Sequence, residues 1–143
     1  MIKKLNLSEI RDFLPLVWDV FCEYEAINYP EQAKFMFKNA IYDENYLSVL
    51  TAYGAYKDNA PIGIIATREG GKHVALFFVD GKYHKQGIGR QLFNVMMENN
   101  SNDELTVHSS IYAISVYEKL GFVKIGDVMT DGGITYMPMR YRR

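Results

Sequence analysis

The sequence predicts a single α/β domain built on a mixed, mostly antiparallel sheet. Two hairpin patterns follow one another between residues 51 and 79, and consecutive hairpins require antiparallel pairing. A strand–helix–strand pattern then runs from residue 73 to residue 107, which is typical of a β-α-β crossover. We expect about six to seven strands flanked by about four helices, in one domain over residues 1–143.

The first part of the chain is predicted to be mainly helical. Ile2–Leu5 is a short strand candidate, and Ser8 stands where a helix N-cap is expected. One helical face then collects Ile10, Phe13, Leu14, Val17, Phe21 and Cys22. Cys22 is therefore expected to be a buried small hydrophobe. Pro30 interrupts the pattern, and a second helix is predicted over Ala33–Ile41.

Three strands are predicted next. Thr51–Tyr56 and Pro61–Arg68 flank a polar turn at 57–60, and a second turn at 69–72 leads into His73–Val79. This third strand is the most apolar run of the chain, so we expect it to be central, with both faces covered.

The remaining chain alternates helices and strands. The Gly87–Arg90 segment opens a helix whose apolar face holds Leu92, Phe93, Met96 and Met97. The later predicted elements are a strand at Leu105–Val107, a helix at Ile111–Leu120 ended by Gly121, and strands at Phe122–Val128 and Thr135–Arg140, the last two separated by a turn at 131–133.

Composition excludes several classes of function. With 16 basic and 17 acidic residues, the chain has no bulk attraction for nucleic acid or for an anionic membrane. Its one cysteine excludes an intrachain disulfide, and no two histidines have ligand spacing, so we expect no metal. The N-terminus lacks a signal-peptide pattern and no apolar run could span a bilayer, which favours a cytoplasmic protein. The sequence is compatible with a monomer or a homodimer. The unusual feature is the 11 tyrosines, which suggest aromatic surface at a cleft or interface.

The glycine-containing loop before the third helix is a candidate anion site. Gly87 and Gly89 begin a helix directly after a strand, so free backbone N–H groups and the helix dipole would attract a phosphate. A dinucleotide fingerprint is excluded because Leu92 stands where its last glycine belongs, and the P-loop and hydrolase-elbow motifs are absent.

Two segments together resemble the GNAT acetyltransferase superfamily. The stretch from Phe77 to Leu92 is similar to the family's acyl-CoA loop, Gln/Arg-x-x-Gly-x-Gly/Ala, which follows a strand. The stretch from His108 to Phe122 is similar to its second motif, Asn-x-x-x-x-Ala-x-x-x-Tyr-x-x-x-Gly-Phe. Two positions depart from the pattern: His84 replaces Gln or Arg, and His108 replaces Asn.

The resemblance implies a GNAT-like fold, acetyl-CoA as co-substrate and no metal. It also implies acetyl transfer to a primary amine of a small molecule or peptide, by direct attack in a ternary complex. The implied contacts with acetyl-CoA fall on the strand, the loop and the second motif: Phe77, Phe78, Val79, His84, Lys85, Gln86, Gly87, Ile88, Gly89, Arg90, Ser109 and Tyr117. A catalytically weak acyl-CoA sensor or interaction module of the same fold is the alternative.

Tyr117 matches the family tyrosine that protonates the departing thiolate. A phenol with a pKa near ~10 is protonated at neutral pH and can act as an acid. The general base is left open among His73, Glu69 and His108.

The amine acceptor is expected beside the first two helices, at Glu23, Tyr24 and Tyr29. Between residues 23 and 46 there are five acidic and two basic residues together with four tyrosines. Such a wall would favour a cationic acceptor such as a polyamine, an aminoglycoside or a lysine side chain.

Overall fold

The computed structural model describes all residues from Met1 to Arg143. One eight-stranded sheet runs in the order β1-β2-β3-β4-β5-β8-β6, with β7 also paired to β8. The strands are β1 Ile2–Leu5, β2 Thr51–Lys57, β3 Ala60–Arg68, β4 His73–Val79, β5 Glu104–Ser110, β6 Val123–Lys124, β7 Met129–Asp131 and β8 Ile134–Arg142. The helices are α1 Leu7–Val20, α2 Glu31–Ile41, α3 Glu44–Ser48, α4 Ile88–Glu98 and α5 Ile114–Leu120. The predicted mixed α/β class is confirmed, with one strand and one helix more than the upper expectation.

Two hydrophobic clusters cover the two faces of the sheet. Each contains 15 buried residues. Phe13, Leu14 and Val17 of α1 are fully buried in the first cluster, and Leu92 of α4 is fully buried in the second. Cys22 packs against the first cluster but is only partly buried. None of the helices combines the length and apolarity that crossing a membrane requires.

The first helix begins two residues earlier than the Ser8 cap implied. Asn6 is the N-cap: its side chain accepts from the Glu9 amide while the Glu9 carboxylate accepts from the Asn6 amide. This reciprocal capping box satisfies two donors, so it prevails over a single serine hydroxyl. At its other end α1 widens into a π-helical turn at Phe21–Glu25, closed by a hydrogen bond from the Ala26 amide to the Phe21 carbonyl.

The later boundaries differ from the predictions for local reasons. The helix predicted from Ile111 begins at Ile114, because residues 111–113 form a turn in which the Ala113 amide donates to Ser110. Only Val123–Lys124 of the predicted strand 122–128 pairs with β8. The short helix α3 and strand β7 lack a periodic pattern, and the structure adds both.

The strand β4 is central, as its apolar sequence predicts. It is antiparallel to β3 and parallel to β5, but it pairs with β5 only through His73 and Val74. Opposite β3, the register steps from Thr67↔Val74 to Ala66↔Leu76, so Ala75 is an extra residue in β4. Such a bulge bends a strand. The bend coincides with the point where β4 and β5 part.

The backbone of β4 beyond the bulge faces the resulting gap. The Asp80 amide donates to the Ile62 carbonyl on β3, at 2.8 Å. Since backbone groups alternate sides along an antiparallel strand, those of Phe77 and Val79 point the other way, toward the gap.

The contact between β2 and α1 is too tight for any side chain at Gly54. A Cβ there would lie 2.8 Å from Leu5 Cδ1 and against the ring of Phe13, which is fully buried. We expect Gly54→Ala to lower the free energy of unfolding by about 1–3 kcal/mol in urea denaturation, because overpacking displaces core side chains. In Gly126→Ala the new Cβ meets only Pro138 Cγ at 3.3 Å, so that control should stay within about 0.5 kcal/mol of the parent. Equal losses in the two variants would contradict this packing argument.

Candidate functional site

Two adjoining cavities occupy the gap between β4 and β5. They share five lining residues: Glu25, Phe77, Phe78, Ala113 and Tyr117. The first, the aromatic cavity, measures about 120 Å³ and is further lined by Phe21, Tyr29, Phe37, Val74, Ala75, Val107, His108, Ser110, Ile134, Thr135 and Tyr136. The second, the groove, measures about 330 Å³ and is further lined by Val20, Val79, Tyr83, His84, Lys85, Gly87, Ile88, Gly89, Tyr112, Ser115, Val116 and Lys119.

The glycine loop forms one end of the groove. The Asp80 carboxylate accepts from the Lys82 amide at 3.0 Å and fixes the turn that leaves β4. Gly87 is the N-cap of α4, and its φ of 84° lies in the left-handed region that glycine adopts without strain. No side chain caps α4, so the first N–H groups of the helix are free for an anion.

Most residues that the resemblance implied for acetyl-CoA line the groove, but three side chains turn elsewhere. Gln86 Nε2 donates to the Lys82 carbonyl at 3.1 Å, and Arg90 Nη2 donates to the Lys119 carbonyl at 2.8 Å. Ser109 is buried, with its hydroxyl donating to the Ser110 carbonyl at 2.7 Å. Ser110 lines the aromatic cavity instead. The sequence motif cannot distinguish these two serines, because only their position on β5 decides which one faces the gap.

His84 contacts the exposed edge of β4. Its Nε2 donates to the Val79 carbonyl at 2.7 Å, and its ring packs against Tyr24 with centroids 4.8 Å apart. Tyr24 also packs against Tyr112 and against Gly81, where a Cβ would lie 2.9 Å from the Tyr24 Cζ. Tyr24, expected near the acceptor, therefore supports the groove side of the site.

Tyr117 lies where the two cavities meet. It is 7% exposed and contacts Phe77 and Phe122, with ring centroids 5.8 and 5.2 Å apart. Burial, and then the neighbouring Glu25 carboxylate, raises the pKa of the Tyr117 phenol far above its usual value. The phenol is consequently protonated throughout the physiological range.

Glu25 shares this position, and the sequence did not single it out as a base. It is partly buried at the end of the π-helical turn and lines both cavities. Loss of solvation raises the pKa of the Glu25 carboxyl to about 7, and the nearby Ser110 hydroxyl acts in the opposite direction with a smaller effect. A π-turn displaces its residues from α-helical register. Helical periodicity alone could therefore not predict which way the Glu25 side chain points.

Of the three predicted bases, His108 alone lines one of the two cavities. Glu69 is exposed and lines neither cavity. His73 is buried behind the aromatic cavity: its Nδ1 hydrogen bonds with the Thr106 hydroxyl at 2.8 Å, and burial lowers its pKa to about 4. His108 lines the cavity, stacked on Tyr136 with centroids 4.4 Å apart, and burial lowers its pKa as well.

The expected acidic wall does not form. Of the five acids between residues 23 and 46, only Glu25 lines a cavity. Glu23 is exposed, Glu44 pairs with Arg11, and Asp43 caps α3. Tyr29 does line the aromatic cavity, whereas Tyr42 is exposed and Tyr46 packs against the first core cluster. The expected preference for a cationic acceptor therefore rests on Glu25 alone.

Comparison with known proteins agrees with this geometry. The family model described as an acetyltransferase (GNAT) domain matches residues 23–143. No curated protein matches the sequence.

Solved structures of N-acetyltransferases share the fold. A GCN5-related N-acetyltransferase from Rhodopseudomonas palustris superposes with a TM-score of 0.83 at 16% identity, covering 100% of this chain and 95% of that one. The PaiA N-acetyltransferase from Thermoplasma acidophilum, in complex with coenzyme A, gives 0.80 at 18% identity, with 100% and 98% covered. An aminoglycoside 6'-N-acetyltransferase complexed with coenzyme A gives 0.66 at 12% identity, with 99% and 96% covered.

Proposed function

The chain belongs to the GNAT acetyltransferase family, and on this premise we propose that it transfers an acetyl group from acetyl-CoA to a primary amine. Transfer is by direct attack in a ternary complex, within a single catalytic domain. One observation carries the proposal: two cavities of different character meet at a carboxyl group with a pKa near neutrality and a protonated phenol.

The groove is the proposed site for acetyl-CoA. Its diphosphate would lie on the free N–H groups after Gly87, where the helix dipole also favours negative charge. The pantetheine arm would add to the edge of β4 that β5 leaves unpaired, at the backbone of Phe77 and the N–H of Val79, as a peptide strand adds to a sheet edge. The Val79 carbonyl is already held by His84. The same edge would present a backbone N–H to the thioester oxygen and stabilise the oxyanion.

The aromatic cavity is the proposed site for the amine. The amine nitrogen attacks the thioester carbonyl carbon, a C–N bond forms, and collapse of the tetrahedral intermediate breaks the C–S bond. The nitrogen loses one proton and the sulfur gains one, so the products are an amide and the free thiol of coenzyme A. Two groups are needed for these proton transfers, and the junction supplies two.

Glu25 is proposed as the base, in place of the three candidates from the sequence. It lines both cavities, whereas Glu69 and His73 line neither. A base is most effective when its pKa is close to the working pH, and burial brings the pKa of Glu25 to about 7. Tyr117 is the proposed acid, since its raised pKa keeps a proton available for the thiolate.

The proposed activity is tested by binding and turnover together. Calorimetry should detect acetyl-CoA binding, and a thiol reagent should detect coenzyme A released in the presence of primary amines. Binding without release for any amine would favour the sensor or interaction module, and absence of binding would contradict both functions.

Removing the phenol isolates the acid step. We expect Tyr117→Phe to lower kcat at least tenfold, a loss within the range of general acid catalysis, with little change in acetyl-CoA affinity. Tyr141 is a matched control, because it packs against Phe122 but lines neither cavity. Tyr141→Phe should retain turnover. An unchanged kcat in Tyr117→Phe would remove this residue as the acid.

Removing the carboxylate isolates the base step. For the parent and Glu25→Gln, the ratio of kcat/KM should rise about tenfold per pH unit up to about pH 7 and then level off, because Glu25 must be ionised to accept a proton. The plateau should correspond to about a hundredfold loss. Taking the ratio cancels the ionisation of the amine, which both enzymes share. Glu23→Gln changes an exposed carboxylate two residues away, and its ratio should stay flat near unity. A flat ratio for Glu25→Gln would assign the base elsewhere.

A further inference from the structure

The lining of the aromatic cavity indicates what kind of group the acceptor carries beyond its reacting nitrogen. Twelve of its sixteen lining residues are hydrophobic, Glu25 is its one carboxylate, and no lysine or arginine lines it. Phe21 and Phe37 stack with centroids 3.8 Å apart, and Phe37 also meets Phe78 at 6.2 Å. Aromatic rings therefore make up much of the wall of this cavity.

Two hydroxyl groups of this lining, those of Tyr29 and Ser110, are already engaged within the protein. The Tyr29 hydroxyl donates to the Thr135 carbonyl at 2.8 Å, which ties the segment after α1 to β8 and leaves the tyrosine ring for the cavity. The Ser110 hydroxyl accepts from the Ala113 amide at 3.2 Å. His108 presents a neutral ring at pH 7, since burial, and then Arg68, lowers its pKa. A ligand consequently meets one carboxylate, no cationic side chain, and a lining in which hydrophobic residues predominate.

The charge beyond the cavity is unfavourable for a second cation. Arg68 on β3 is paired in register with His73, which contacts His108 at the cavity wall. Its guanidinium lowers the pKa of both histidines, and the effect of Glu69 in the opposite direction is smaller. The Arg68 Nε is 4.0 Å from the Glu69 carboxylate and has no hydrogen-bond partner. A ligand reaching past His108 with a second ammonium would approach a positive charge.

We propose that the acceptor is a primary monoamine with a compact apolar body, about the size of one aromatic ring or a short alkyl chain. This inference rests on the proposed function and narrows its substrate class. The ammonium pairs with Glu25 on entry and loses its proton there, while the body replaces water against the aromatic wall. A cavity of about 120 Å³ suits such a body, since an apolar cavity of about 150 Å³ holds a benzene ring. Polyamines and aminoglycosides would bring further ammonium groups to a cavity that holds a single carboxylate, and burying a charge without a paired group is costly.

Two isosteric amines provide the test. Hexylamine and 1,5-diaminopentane have the same chain, and differ only in a terminal methyl group against a second ammonium. We expect kcat/KM to be at least about tenfold higher for hexylamine, and 2-phenylethylamine to be accepted as well. Faster transfer to the diamine, to spermidine or to a lysine peptide would overturn the proposal.

A charge placed in the wall should reverse this preference. Ile134 lines the cavity at the start of β8, so Ile134→Asp would supply a second carboxylate for the diamine. We expect the hexylamine-to-diamine ratio to fall at least about tenfold in this variant. Ile125→Asp, at an exposed site outside the cavity, should keep the parent ratio. An unchanged ratio in an Ile134→Asp protein that still binds acetyl-CoA would count against the inference.

The amine comparison in the parent enzyme decides the matter if Ile134→Asp does not fold. The same comparison distinguishes a wrong acceptor class from a wrong activity. Transfer that favours charged, extended amines would overturn the acceptor class and leave the acetyltransferase activity standing. Acetyl-CoA binding with no transfer to any amine would overturn both.

Discussion

The parting of β4 from β5 is the constraint on which the site depends. A continuous parallel pair would use the backbone of Phe77 and Val79 within the sheet, as β3 uses the other edge. The extra residue Ala75 bends β4 just after its last pairing with β5, and the edge beyond it is left for a ligand. Both cavities open into the same gap, so the groove, the aromatic cavity and their junction all lie where the bulge separates β4 from β5.

The second feature on which the site depends is the π-helical turn at the end of α1. A regular helix buries its apolar face on the sheet, and Phe13 and Val17 do so. The wider turn at Phe21–Glu25 changes the register, so that Phe21 enters the aromatic cavity and Glu25 reaches the junction. Tyr29 then holds the following segment to β8 through its hydrogen bond with Thr135. One continuous stretch of chain, α1 with its π-helical end, thus both packs on the sheet and supplies residues to the site.

Sequence patterns predicted the parts of the site that are local and repetitive. The central strand followed from the six consecutive apolar residues after His73, and the start of α4 followed from Gly87. Tyr117 was identifiable from its motif, because the residues of that motif lie along one short segment. Glu25 was not, since its role requires a π-turn, a bulge in a distant strand and the approach of α5. From the sequence alone a histidine is a more obvious candidate base than a glutamate. In the structure, however, His73 is buried and does not line the aromatic cavity.

Base strength and acceptor choice have a common origin in this site. The apolar lining deprives the Glu25 carboxylate of solvent, and this desolvation raises its pKa to about 7. The same lining offers no partner to a second charge on the acceptor. A more polar cavity would hydrate a polycation, but it would also return the carboxyl toward its ordinary pKa and weaken it as a base. In the proposed reaction, the desolvation that suits Glu25 to act as the base thus also favours an acceptor with one charge and an apolar body.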